Sequence, residues 1–540
     1  MRDQRHPRGA RARCAACALL VAFSAPNAGR AQDGNVGTPG LFSVRDHGAA
    51  GDGKTLDTAA INKAIEACAA AGGGQVRFPP GAYLSGTVYL KSKVTLYLDA
   101  GATLIGTADL AQYRQFSPPA GTFEARLGAW HRALILGESV EDVAIAGPGR
   151  IDGNKVFDPR GEERMRGPHT ILMGLSRGIT LRDFAVRDSA NYAVMLMECS
   201  RVDVANVTFT GGWDGVHFRG WPDRPCRDVR ITGCRFFTGD DSIAGRYWEN
   251  VLIAGCVINS SCNGIRVIGP AAHLVIHDCL FYGPGVEPHR TSNRYNMLSG
   301  IILQPGAWDA TQGALDDVLI ADVTMHNVAS PVTVWTKSGN SAGSVTVTRM
   351  SATGVYRAAC SFESWAETPI ERVVLRDVSI EHAGGGTREQ AAMALKSPPV
   401  DARPLPAWGL YARNVKRLEL DNVRLRCATK DLRPLIACEG LEQLALHDTY
   451  VPMVTPQCLG IEVPAVKAGA RFSPRVRIEN GGKEGLGLVT LQVAGAVFSR
   501  WVWLGPDERR EVVFENLAAP PAGTHEAKAG DAAAAVTVEP

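Results

Sequence analysis

Three aspartates stand out by type and spacing. Asp214, in "GGWDGVHF", precedes Asp240 and Asp241, in "TGDDSIAG", by 26 and 27 residues. Carboxyl groups gathered at one point divide their labour. Mutual repulsion and partial burial push one pKa up while another stays low, so one group keeps a proton to donate and another is ionised and can activate water. Cleavage of a glycosidic bond needs that pair. A lone Asp after Gly is ordinary turn chemistry; a doublet with a third Asp one structural period away is more than that. Polar side chains follow nearby: His217 three after Asp214, Arg246 five after Asp241 and Arg266 three after Asn263. If the coils are in register, these three flank the acids and are candidates for binding hydroxyls, a carboxylate or a sulfate through charge-assisted hydrogen bonds. Trp213 and Trp221 could stack on a sugar ring or simply pack between loops. The polar insertion at 283–300 offers His289, Arg290, Arg294 and Tyr295 as a cleft wall.

The period that would bring the acids together is written in the chain. An apolar β-rich run, then Asp, Asn or Gly, then another apolar residue recurs as "ITLRDFAV", "VDVANVTF", "VRITGCRF", "VLIAGCVI" and "LVIHDCLF". The markers Asp183, Asn206, Gly233, Gly255 and Asp278 lie 23, 27, 22 and 23 residues apart, and copies continue to "LALHDTYV" at 444–451. Strands at a period of twenty-odd residues, with no amphipathic helices between them, predict a stacked β-solenoid. Residues one period apart then sit about one strand spacing, roughly 4.8 Å, from each other. Two gaps of 44 and 45 residues read as two turns each. Cys234, Cys256 and Cys279 occupy one slot in three consecutive coils, as small buried hydrophobes.

An exposed solenoid end leaves unpaired strand edges and open core, so it must be plugged. Residues 58–70 carry apolar side chains at helical spacing behind Asp57 as N-cap, and Gly72 to Gly74 stop the helix. From about residue 460 the pattern changes to strand pairs around Asn480-Gly481-Gly482 and Gly505-Pro506-Asp507, which predicts a small antiparallel sandwich. The expected division is a cleaved export signal at 1–31, a solenoid at 32–457 and a β-sandwich accessory domain at 458–540. That signal, with no later span long enough for a bilayer, places the mature chain in the periplasm or outside the cell.

Charge is nearly balanced, with 57 Lys and Arg against 55 Asp and Glu, which argues against nucleic acid as partner. Outside the signal stand eleven cysteines with no C-x-x-C pair, so neither a disulfide framework nor a metal is expected. The partners expected are a polysaccharide or oligosaccharide substrate, with no membrane insertion, no cofactor, and a monomeric chain.

The cap segment (42–106), "DSANYAVMLMECSRVDVANVTF" and "FFTGDDSIAG" together resemble the pectin-lyase-like right-handed β-helix enzymes, most closely glycoside hydrolase family 28, over roughly residues 40–455. The resemblance implies a three-sheet parallel β-helix and cleavage of a polysaccharide with inversion. It gives Asp240 the role of general acid and Asp214 and Asp241 that of holding and deprotonating water, with acid and base about 6.5–9.5 Å apart. The family's Gly-His-Gly element falls on "SCNGIRV", where Asn263 stands in the His place, and its Arg-Ile-Lys element falls near "SGIILQP", which lacks the basic pair. Those bases grip the galacturonate carboxylate, so plain polygalacturonate is not the expected substrate. Two other readings keep the fold: a polysaccharide lyase using Arg246, Arg266 or His217 as base, usually with Ca²⁺, and a carbohydrate-binding surface protein without turnover.

Overall fold

The computed structural model describes residues 40–118, 120, 131–308 and 310–540. The export signal expected at 1–31 lies outside them. The repeat forms as an all-β coil with three strands per turn, for example Ser200–Ala205, Thr208–Thr210 and Val216–Arg219. All successive coils pair in parallel. The first two strands of each coil belong to a 23-stranded sheet and the third to a 13-stranded sheet.

The marker residue explains the period. Asp183, Asn206, Gly233, Gly255 and Asp278 all have φ between 53° and 67°. Only Gly, or the short polar Asn and Asp, enters that left-handed region cheaply, and one such residue bends the chain between the first and second strands. Inside the coil, register stacks Val204, Ile231, Ile253, Ile276, Ile320, Val347, Leu375 and Leu420 in one column. Each is buried, and each such side chain contributes about 1.5–3 kcal/mol. Cys234, Cys256 and Cys279 are buried free thiols beside this column.

The two long gaps are not pairs of turns. Leu280 pairs directly with Thr324, and Val378 with Val423, so each gap is a single coil with a long excursion. The expectation failed because an insertion of about one coil's length mimics a missing repeat in spacing alone. Both excursions, at 283–298 and 383–409, leave the solenoid on the face that carries the aspartates.

The cap helix spans Thr58–Ala70 and buries Ile61, Ala64, Ile65 and Cys68 against the first coils. Asp57 makes no side-chain cap. Its carboxylate accepts the N–H groups of Ala50 and Gly51 at 2.7 and 3.0 Å, tying the Gly-rich loop to the helix start. At the far end antiparallel strands Arg475–Glu479, Gly485–Val493, Ala496–Leu504 and Gly523–Ala529 build the sandwich. Trp501 N–H donates to Leu441 O at 3.0 Å, and Leu486 and Trp503 join the solenoid's core. The sandwich thereby seals the last coil. Among the described residues, no helix is long and apolar enough to cross a membrane.

Candidate active site

Each acid is placed by the start of a third-sheet strand. Val216 pairs with Ile243, which puts Asp214 directly beside Asp241, and Gly215 N–H donates to Asp241 O at 3.1 Å. A Cβ on Gly215 would stand 2.6 Å from both Ser242 O and the Phe236 ring, so no other residue allows the coils to close here. Asp240 is turned by hydrogen bonds to its carbonyl from Thr238 Oγ1 at 2.9 Å and Ser260 Oγ at 2.7 Å. One oxygen of each of Asp214, Asp240 and Asp241 lies within 4.8 Å of the others.

The trio lies in a cavity of about 710 Å³. Burial pushes Asp214 well above the usual carboxylate range, and the charges of Asp240 and Asp241 push the same way. Burial also raises Asp241, against the Arg266 guanidinium that pulls it down. Asp240 feels the same burial, yet His289 at 3.7 Å and the charges of Arg166 and Arg266 outweigh it and hold Asp240 below the ordinary range. Burial thus favours the protonated form of Asp214 and Asp241, and the neighbouring cations favour the ionised form of Asp240. The nearest oxygens, within 4.8 Å, are closer than the roughly 6.5–9.5 Å expected between acid and base of an inverting pair. One water can still touch two of them at hydrogen-bond length.

The three polar candidates and Asn263 surround this trio. His217 Nδ1 lies 2.6 Å from Asp214 Oδ2, and its ring stacks on Tyr192 at 4.1 Å. Burial and the nearby arginines keep His217 neutral, so its Nε2, which has no partner in the structure, is free for a ligand hydroxyl. Asn263 donates to Asp241 Oδ1 twice, from its backbone N–H at 3.0 Å and from Nδ2 at 2.9 Å. It orients an acid where a substrate-gripping base was sought. Arg266 Nη1 lies 3.3 Å from Asp241 Oδ2, and its Nη2 pairs with Asp401. Arg246 is buried in the cavity wall. Of the 283–300 candidates, His289 and Arg294 line the cavity, whereas Arg290 and Tyr295 do not. Trp213 is buried beneath Arg166, whose Cζ lies 3.7 Å from its ring centroid, so it packs on protein rather than on sugar.

Sequence reasoning missed several wall residues. Arg166 reaches from the excursion at 157–167 to Asp240 Oδ2 at 3.4 Å, and Asp401 reaches Arg266 from 135 residues away. No local signal marks either. Arg219 was findable, because it pairs in register with Arg246 and shares the outward face of His217. A second donor set, Asp240, Cys262 and His289, also falls within 4.8 Å. Burial raises the Cys262 thiol well above its usual value, and Arg166, Arg266 and Arg294 crowd the spot, so its chemistry is poor for a cation.

Residues 41–266 match the family described as "Rhamnogalacturonase A/epimerase, pectate lyase-like". A probable polygalacturonase of Vitis vinifera is 28% identical over 301 residues, covering 53% of this chain and 61% of that protein. An exo-poly-alpha-D-galacturonosidase of Dickeya chrysanthemi is 27% identical over 261 residues, covering 38% of this chain and 42% of that one. The chain thus spans less than two thirds of these relatives' lengths. The crystal structure of an exopolygalacturonase from Thermotoga maritima shares the fold, with a TM-score of 0.54 at 18% identity over 72% of this chain and 92% of that one. With its coil architecture and capping helix, the chain has the right-handed β-helix fold of the pectate-lyase-like proteins, and its residues 41–266 are similar to that family.

Proposed function

We propose that this protein hydrolyses glycosidic bonds of an acidic, pectic-type polysaccharide. The observation that carries the reading is the aspartate trio, converging in one cavity whose wall also bears seven arginines. The other acids in that wall are Glu162, Glu163 and Asp401, fewer than the arginines, so the wall favours an anionic sugar. Arg132 and Arg160 pair with Asp158, so within that wall Arg219 and Arg246 are the residues we assign to the role of the basic pair missing near 299–305.

Three carboxyl groups this close titrate as a unit. Asp214 and Asp241, stacked on neighbouring coils, hold the attacking water. Asp240 is the most exposed of the three residues and faces the leaving oxygen. It takes up the trio's shared proton when substrate displaces the loose 3.4 Å contact with Arg166. His217 and Asn263 hold Asp214 and Asp241 in place as positioning residues. Attack by water in a single displacement gives inversion. A lyase is disfavoured because His217 and Arg266, two of its candidate bases, are engaged with Asp214, Asp241 and Asp401. The chain acts after export, as a soluble secreted or periplasmic monomer.

The test incubates the full chain with polygalacturonate and, separately, with a rhamnogalacturonan backbone. New reducing ends without ultraviolet-absorbing product support hydrolysis, and the first-formed anomer, followed by NMR, should be opposite to that of the substrate. Asp240→Asn should lower kcat by about 10²–10⁴-fold with little change in oligosaccharide affinity. Absorbing product would mean a lyase, and binding with no turnover would mean an adhesin.

A further inference from the structure

The outward face of the 13-stranded sheet carries the trio's cavity. One outward column runs, in register, Leu136, Leu172, Met195, His217, Ala244, Arg266 and onward to Ile302, Thr333 and Ser361. His217, Ala244 and Arg266 are buried in the cavity wall; Ile302, Thr333 and Ser361 are buried too, yet none of them lines that cavity or belongs to the interior core.

The excursion at 383–409 is fastened at both ends of this stretch, to Arg266 and to Glu363. It leaves the solenoid after the coil of Cys360–Trp365 and runs back over about 14 Å, three strand spacings, to bring Asp401 onto Arg266. Val400 O accepts a second bond from Arg266 at 3.3 Å. Two residues on, Arg403 is fastened to the fully buried Glu363 at 2.6 Å, and Leu405 packs with Ala358, Ala359 and Tyr411. On the other side the cavity continues along His169, His131 and Arg132, beside an apolar cluster of Leu136, Leu172 and Met195 with Phe116, Tyr192 and Trp213. Among the described residues, therefore, the groove is closed at its downstream end.

We infer that this protein attacks its polysaccharide at a chain end and not in the interior. The inference rests on the hydrolase reading and adds its mode. Cleavage within a polymer needs a cleft through which the chain runs out in both directions. Here the downstream exit is blocked one coil past the acid pair by Asp401. The cavity of about 710 Å³ closed at that end falls in the range of about 300–1,000 Å³ typical of a site for one small ligand. A polymer can enter it only by a terminus.

The experiment follows viscosity and reducing ends together during digestion of long polygalacturonate and rhamnogalacturonan by the full chain. End attack should release mono- or disaccharide from the first minutes while viscosity barely falls. Early mid-length fragments with collapsing viscosity would overturn the inference and leave the hydrolase reading standing. Binding supplies a readout that does not need turnover. Asp240→Asn should bind one protein per chain end, whatever the polymer's length. Stoichiometry rising with length would overturn end recognition. Absence of both turnover and binding would overturn the inference together with the hydrolase reading. Replacing residues 396–404 by a short Gly-Ser link should shift the products toward internal fragments.

Discussion

Arg403→Met tests the blocked groove at its anchor. Glu363 lies on an outward strand position yet is fully buried, and it accepts hydrogen bonds from Arg403 Nη1 at 3.1 Å and Nη2 at 2.6 Å. Trp365 Nε1 supplies one more at 2.8 Å. Met fills most of the same volume but brings no donor, so a buried carboxylate keeps one partner out of three. Removing one member of a buried ion pair costs about 3–5 kcal/mol, mostly as the uncompensated charge left behind. Because each coil touches only its neighbours, the loss should be local. Amide exchange in Cys360–Trp365 and Leu410–Arg413 should therefore quicken by about 10²–10⁴-fold. Strands of the first coils, such as Val94–Leu98, should keep their protection. Arg403→Met/Glu363→Gln removes the orphaned charge and should recover all but about 1–2 kcal/mol. The reasoning fails if Arg403→Met costs less than about 1 kcal/mol, or if the double variant is no better than the single one.

Asp214 carries a folded-state pKa raised above its unfolded value, so the stability it contributes is complete below the unfolded pKa and is lost as pH rises through the folded one. Asp214→Asn should accordingly flatten the pH dependence of Tm and raise Tm at neutral pH, while abolishing turnover; an unchanged Tm profile would refute the assigned burial. The alkaline limb of kcat/KM should report the trio's shared proton, and Asn263→Ala, which removes a bond that lowers Asp241, should move that limb upward. Phe236 is fully buried and stacks on Phe209 at 4.8 Å, so Phe236→Ala should cost about 3–5 kcal/mol in urea unfolding. Deleting the chain from residue 453 onward should unseal the last coil and yield aggregates by light scattering.

The trio is legible in the order of residues because a solenoid turns sequence period into distance. Asp214 and Asp241 are one coil apart in number and so adjacent in space. The marker turns are equally legible, since a left-handed residue favours Gly, Asn and Asp, with Arg349 an exception in the same slot. His217, Asn263 and Arg266 follow on the same ground, as neighbours in register. Offsets alone do not tell that Asn263 serves Asp241 rather than substrate, because that depends on which way a short side chain points. Nor do they show which cations face Asp240, since Arg166 and His289 arrive on excursions of no fixed length.

What the chain decided by itself is whatever repeats: a local turn preference, an alternating strand and a constant coil length act in every copy and accumulate into one architecture and one acid cluster. The excursions do not repeat. Spacing reads the 44- and 45-residue gaps as extra turns, whereas folding makes them loops, one of which carries Asp401 back across three strands to end the groove. Where such a loop lands is set by long-range partners, Arg266, Glu363 and the Ala358 pocket, scattered through the sequence and adjacent only after the coils have stacked. Tertiary structure alone therefore decided the shape of the cavity and the charge of its acids.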